Sequence, residues 1–194
     1  MVYLIISDNN FFLQGARDIL NAASDFDRKK VIINNVSVNG LAVVKNSILK
    51  HRPKKIILNM NCIHKRRALL RLAGSFNLPV LLMSDIHKGD CTYGDNITLI
   101  SCLCTRATFL REILRNDGCP TFKLPTPLSQ LIIRKLSAGG SIVSVSENLG
   151  IDPKRIYLMK NNAIRRMGIS TTKTQGMLLC RDILEMKITG EAYD

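Results

Sequence analysis

The feature that most constrains this chain is a regular alternation, up to about residue 115, of short apolar runs with longer segments of helical period. The runs are Val2 to Ile6, Val31 to Ile33, Ile56 to Leu58, Val80 to Met83 and Ile97 to Ile100. Runs of this length read as buried strands. Between them, Phe11 to Ala23, Gly40 to Lys50, Lys65 to Phe76 and Thr105 to Arg115 place apolar residues three and four apart, as in Phe12, Ala16, Ile19 and Leu20. The alternation predicts an α/β unit: a doubly wound parallel sheet with helices on both faces. At 194 residues, the chain has room for a second, smaller body after it.

Composition narrows the class. A hydrophobic fraction of 46% with 22% charged residues is globular, far from the disordered regime. The 28 Lys and Arg against 15 acids give a net charge of +13, which favours a polyanionic partner such as nucleic acid or an acidic membrane surface. The apolar start, Val2 to Ile6, is far shorter than the roughly 18 residues of a membrane span and has no basic leader, so a cytoplasmic protein is expected. The six cysteines, Cys62, Cys91, Cys102, Cys104, Cys119 and Cys180, lack paired-knuckle spacing and read mostly as packing thiols. Cys62 with His64, His87 with Cys91, and Cys102 with Cys104 match no common zinc motif. No nucleophile and base pair and no glycine-rich phosphate loop stands out, so no enzyme, metal or cofactor is predicted.

The acidic Asp8 directly after the first strand and the lead Pro53-Lys54-Lys55 into Ile56-Ile57-Leu58 resemble a two-component receiver domain. In receivers the third strand ends in a phosphate-accepting aspartate. Here Asn59 stands there, and an amide cannot form an acyl phosphate. The acidic pair after strand one is reduced to Asp8-Asn9, which weakens a magnesium site. Ser101 and Cys102 occupy the neighbourhood of the receiver lysine, and Ser84 alone keeps a phosphate-sensing residue type. The resemblance implies a pseudo-receiver over 1–116, with Asp8, Asn59 and Ser84 lining an inactive pocket. The plain alternative is three ordinary polar residues at strand ends. Strand ends are also the usual ligand crevice of such sheets.

Asn116-Asp117-Gly118-Cys119-Pro120 breaks the preceding helix, so a linker is expected over 117–124. Thr126-Pro127 then opens a helix running to Ser137, with threonine as cap and proline in the first turn. Gly139-Gly140 is a break, Ile142 to Leu149 a short helix, and Gly150-Ile151-Asp152 a turn. Asp152 caps a helix from Pro153 to Met167 that carries Lys154, Arg155, Lys160, Arg165 and Arg166 and no acid. Lys154, Tyr157, Leu158, Asn161 and Arg165 recur at three or four residues, while Ile156, Ala163 and Met167 lie opposite. A basic face with an apolar back suits the major groove of duplex DNA.

Ala138-Gly139-Gly140-Ser141, Asn148-Leu149-Gly150-Ile151 and Arg166-Met167-Gly168-Ile169-Ser170, in register with Thr126-Pro127 over about 55 residues, resemble the LuxR or GerE type of helix-turn-helix of FixJ and NarL class regulators. Ser129, Leu131, Ser146 and Met159 depart from the family pattern. Such departures are similar to those of RcsA-like and GadE-like orphan regulators, whose receiver halves are also degenerate. The resemblance implies a four-helix DNA-binding domain over 125–194. It puts Tyr157, Leu158 and Asn161 at base edges and Lys154, Arg155, Lys160 and Arg165 near phosphates. A last helix, Thr172 to Met186, carries surplus apolar residues. In the family it pairs two subunits, and the alternative is that it closes the domain's own core. The expected function is sequence-specific transcription regulation as a homodimer or a heterodimer with another response regulator. The alternative is an auxiliary regulator acting by protein interaction.

Overall fold

The computed structural model describes residues 2–23, 30–36, 40–85, 91–94, 96–115 and 124–188. The first half alternates strand and helix in the expected order: β1 (Val2–Ser7), α1 (Asn10–Asn21), β2 (Lys30–Asn35), α2 (Leu41–His51), β3 (Lys55–Asn59), α3 (Ile63–Ser75) and β4 (Val80–Ser84). It continues through β5 (Cys91–Tyr93), β6 (Ile97–Ser101) and α4 (Arg106–Leu114). Among the described residues the strands form one sheet in the order β2-β1-β3-β4-β6-β5. Five strands are parallel, and the edge strand β5 runs antiparallel to β6, Thr92 opposite Leu99.

Strand β5 departs from the expected all-parallel sheet. Three residues are too short to show any period, and their pairing comes from the open edge of β6 rather than from pattern.

Alternating strand residues serve the two faces, as period two requires. Tyr3, Ile5, Ile57, Leu81 and Ile100 pack with Leu13, Ala16 and Leu20 of α1 and with Phe109 and Ile113 of α4. Leu4, Ile6, Ile56, Leu58, Leu82 and Leu99 face the other way, against Val44 and Ile48 of α2 and Leu69, Leu70 and Ala73 of α3. Lys55 fastens the last helix of this half. It is buried at the start of β3, and its Nζ donates to the carbonyls of Glu112 at 2.8 Å and Arg115 at 2.6 Å. A lysine at the end of α4 answers both the unpaired carbonyls and the negative end of the helix dipole.

The second half holds α5 (Pro127–Ser137), α6 (Ile142–Leu149), α7 (Pro153–Arg166) and α8 (Thr174–Ile188). Thr126 caps α5, accepting from Ser129 N at 3.3 Å, with Pro127 in the first turn. Two glycines are dictated by close approach. A Cβ on Gly140 would lie 2.9 Å from the Lys135 carbonyl oxygen, and one on Gly176 only 1.7 Å from that of Thr171. The expected linker, 117–124, falls outside the described residues apart from Leu124.

One core crosses between the halves. The cluster under α2 and α3 continues into Ile133, Ile164, Met167, Leu179, Ile183 and Leu184. Helix α8 lies against α3, so its expected surplus of apolar surface is not free: Ile183, Leu184 and Met186 are all buried within the single chain. Among the described residues no helix is long and apolar enough to cross a membrane.

Candidate nucleic-acid interface

Helix α7 is set on its scaffold by the turn before it. Gly150 ends α6 in the left-handed region, at φ 63°. Ser146 Oγ donates to the Ile151 carbonyl at 2.5 Å. Asp152 then accepts from Lys154 N at 2.8 Å and Arg155 N at 3.2 Å through one carboxylate oxygen. The cap fixes where α7 starts, and its charge suits the positive end of the helix.

The back of α7 is apolar and closed: Ile156, Ala163 and Ile164 are buried, as is Met167 just past the helix end. The front is open. Lys154, Arg155, Arg165 and Arg166 are exposed, with Tyr157 at 47% and Leu158 at 51% exposure between them. Lys160 is half-buried, and its Nζ lies 4.8 Å from the centre of the Tyr157 ring, a cation over an aromatic face.

Asn161 departs from expectation. It is 92% buried, and its Oδ1 has no hydrogen-bond partner. Asn162, the next residue, is exposed beside Leu158 and Arg165. The physical reason lies in Ile164, which the sequence reading did not count as an anchor. Adding it to Ile156, Ala163 and Met167 rotates the buried stripe toward 161 and leaves 162 near the middle of the open face.

The pocket at the carboxyl ends of the strands brings Asp8 and Asn59 near each other, but each is committed to a structural bond. Asp8 accepts the backbone amides of Asn61, at 3.0 Å, and Cys62, at 2.9 Å, so both its oxygens hold the loop after β3. Asn59 accepts from Ser7 Oγ at 3.3 Å and donates to Cys102 Sγ at 3.6 Å. Ser84 is buried at the end of β4, and its carbonyl accepts from Cys102 N at 3.2 Å. Cys102 is exposed as a residue rather than packed in a core, but its Sγ lies inward against Asn59. Partial burial, with Asp85 and Cys104 nearby, pushes its thiol up to about 11 despite the Asn59 hydrogen bond. Among the described residues no group of three or more His, Cys, Asp or Glu is placed to hold a metal.

A second polar centre, absent from the sequence reading, joins the halves. Arg66 of α3 and Arg181 of α8 flank Asp182, which is fully buried. Arg67 and Arg71 of α3 both reach Glu185, at 2.6 and 2.8 Å. Burial raises the Asp182 carboxyl above its usual range although both arginines oppose it. Burial also acts on Glu185, but Arg67, Arg71 and Arg181 together outweigh it and hold that carboxyl below 4.5.

No protein-family model matches the chain, and no curated protein matches it. Solved structures match over almost its whole length. The two-component response regulator RcsB in its DNA complex is 12% identical, with 95% of this chain and 98% of that one covered and a TM-score of 0.53. A structure of two RcsB dimers bound to two parallel DNAs, also 12% identical, covers the same shares with a TM-score of 0.48. The response regulator StyR is 14% identical over 92% of this chain and 97% of its own, with a TM-score of 0.38. At such identities the likeness of the first is one of architecture: the chain shares with that structure a helix-flanked parallel sheet followed by a helical body.

Proposed function

We propose that the chain is a DNA-binding transcription regulator of the LuxR helix-turn-helix type, with a pseudo-receiver as its first half and residues 125–194 as its DNA-binding domain. The observation that carries this is α7, a capped helix with no acid, a closed apolar back and an open front of Lys154, Arg155, Leu158, Asn162 and Arg165. Its cations hold phosphates and set register, while Tyr157, Leu158 and Asn162 meet base edges. An Asn side chain pairs twice with adenine, and Leu158 suits a thymine methyl. The solved RcsB complex with DNA adds support at the level of the fold.

The first half works without phosphoryl transfer in this reading, because its acceptor is an amide and Asp8 is spent on backbone. Pairing of two chains, or of this chain with another response regulator, places two recognition helices on inverted half-sites. If α8 is the pairing helix, α3 must first leave it, since α3 covers it here.

Selection of bound sites from random duplex DNA by the purified chain, at two salt concentrations, tests the proposal. One enriched motif that disappears with Asn162→Ala and persists with Asn161→Leu is expected, with affinity falling steeply as salt rises. Failure to enrich any motif at either salt would overturn it.

A further inference from the structure

From Arg28 to Ser84 the chain contains no Asp or Glu and twelve Lys and Arg. The fold answers many of these cations. Lys55 is spent on the end of α4, Lys65 donates to the Val36 carbonyl at 2.9 Å, and Arg66, Arg67 and Arg71 take the acids of α8. Helix α2 is different. Among the described residues the side chains of Lys45, Lys50 and Arg52 make no ion pair or hydrogen bond. Leu41, Lys45, Leu49 and Arg52 recur along one side of that helix, and Leu41 and Leu49 are 40% and 54% exposed.

Beside this face lies a groove of about 290 Å³, lined by Ile48, Leu49, Arg52, Pro53, Phe76 and Leu78. Its rim holds an unusual backbone. Arg52 ends α2 in the left-handed region, at φ 45° and ψ 62°, where glycine is the usual residue. The other non-glycine residue with positive φ among those described is Asn77, between two groove residues. Asparagine tolerates that conformation readily and arginine does not. A strained arginine kept at the mouth of an apolar groove points to use of its side chain.

We infer that the α2 face and this groove form a docking site for an acidic amphipathic segment of a partner protein. Carboxylates of the partner face Lys45 and Arg52, and one or two of its apolar side chains enter beside Leu49 and Phe76. Charge complementarity selects the sign of the partner, because neither α2 nor its flanks through Ser84 supply an acid. The apolar floor selects a protein over nucleic acid, whose phosphate backbone offers nothing to cover Leu49. The site lies on a different helix from α7, so the inference stands independently of DNA binding.

Selection of a displayed random-peptide library on the full-length chain is the test. The enriched family should combine acids with two or three apolar residues at helical spacing. A fluorescent peptide of that consensus should lose at least tenfold in affinity with Leu49→Glu and with Arg52→Gly, and weaken as salt rises. Arg52→Gly should melt no lower than the parent, since glycine relieves the left-handed backbone, which separates lost binding from lost fold. The inference is overturned if no family is enriched, if enriched peptides lack acids, or if the consensus binds both variants as well as the parent. Displacement of the peptide by duplex DNA, with DNA binding itself lost in Leu49→Glu, would assign the face to nucleic acid and overturn it equally.

Discussion

Arg66 of α3 places two nitrogens on one oxygen of Asp182 of α8, Nε at 3.0 Å and Nη2 at 2.8 Å, while Arg181 takes the other oxygen at 2.6 Å. The carboxylate has no contact with solvent, and Arg66 is only 12% exposed. Three charges are thus withdrawn from water at the seam between the two halves of the chain.

Removing one partner of such a group leaves the others charged and dry, which costs about 3–5 kcal/mol. Asp182→Ala should therefore destabilise the chain by that amount in urea unfolding. Because the two residues share one contact, Arg66→Ala combined with Asp182→Ala should cost clearly less than the separate losses added together. Strict additivity would mean that the contact contributes nothing of its own.

The acid limb of stability should belong to Glu185. Its carboxyl is held below 4.5 in the folded chain, so its contribution is fully present above that value and is lost as pH falls through the lower, folded one. Asp182 runs the other way: its raised value makes its contribution greatest in acid and weaker as pH rises. Stability measured at pH 7 and pH 3 should differ less in Glu185→Gln than in the parent. An unchanged difference in that variant would show that other carboxylates carry the acid limb.

If the first half is a pseudo-receiver, as proposed above, supplying it with an acceptor should not create phosphoryl transfer. Asn59→Asp supplies a carboxylate, yet both oxygens of Asp8 remain bound to Asn61 N and Cys62 N, and the group lying against residue 59 is the Cys102 thiol rather than a cation. Incubated with acetyl phosphate and magnesium, the variant should show no phosphoryl adduct by intact mass. An adduct would mean that the Asp8 bonds open readily.

Asn161 and Asn162 should separate cleanly. The Oδ1 of Asn161 is buried without a partner, and such an atom costs about 1–3 kcal/mol. Asn161→Leu removes it with little change in volume and should raise the melting temperature while leaving DNA affinity within twofold. Asn162→Ala should do the reverse, weakening specific binding by about 1–3 kcal/mol with no thermal effect. Loss of DNA binding in Asn161→Leu would return that residue to the reading face.

Most of the framework was legible because the local signals agree with one another. The five parallel strands, the caps Thr126 and Asp152, and the break at Gly150 each follow from a run, a residue type or a spacing within a few positions of itself. What escaped depends on distant pairing. Strand β5 has three residues and takes its form from β6. The burial of Asn161 hangs on one uncounted isoleucine. The role of Asp182 and Glu185 was hidden because they read as ordinary polar positions on an apolar helix, and their partners lie more than a hundred residues earlier.

That division of charge, with the bases on α3 and the acids on α8, binds the inheritance of the two halves together. A helical body grafted onto a sheet domain lacking Arg66, Arg67 and Arg71 would carry two carboxylates with nothing to meet them. The reverse graft would strand three guanidiniums against an apolar surface. A replacement on one side of the seam therefore calls for a matching one on the other, and neither half can be exchanged alone without leaving charges unanswered.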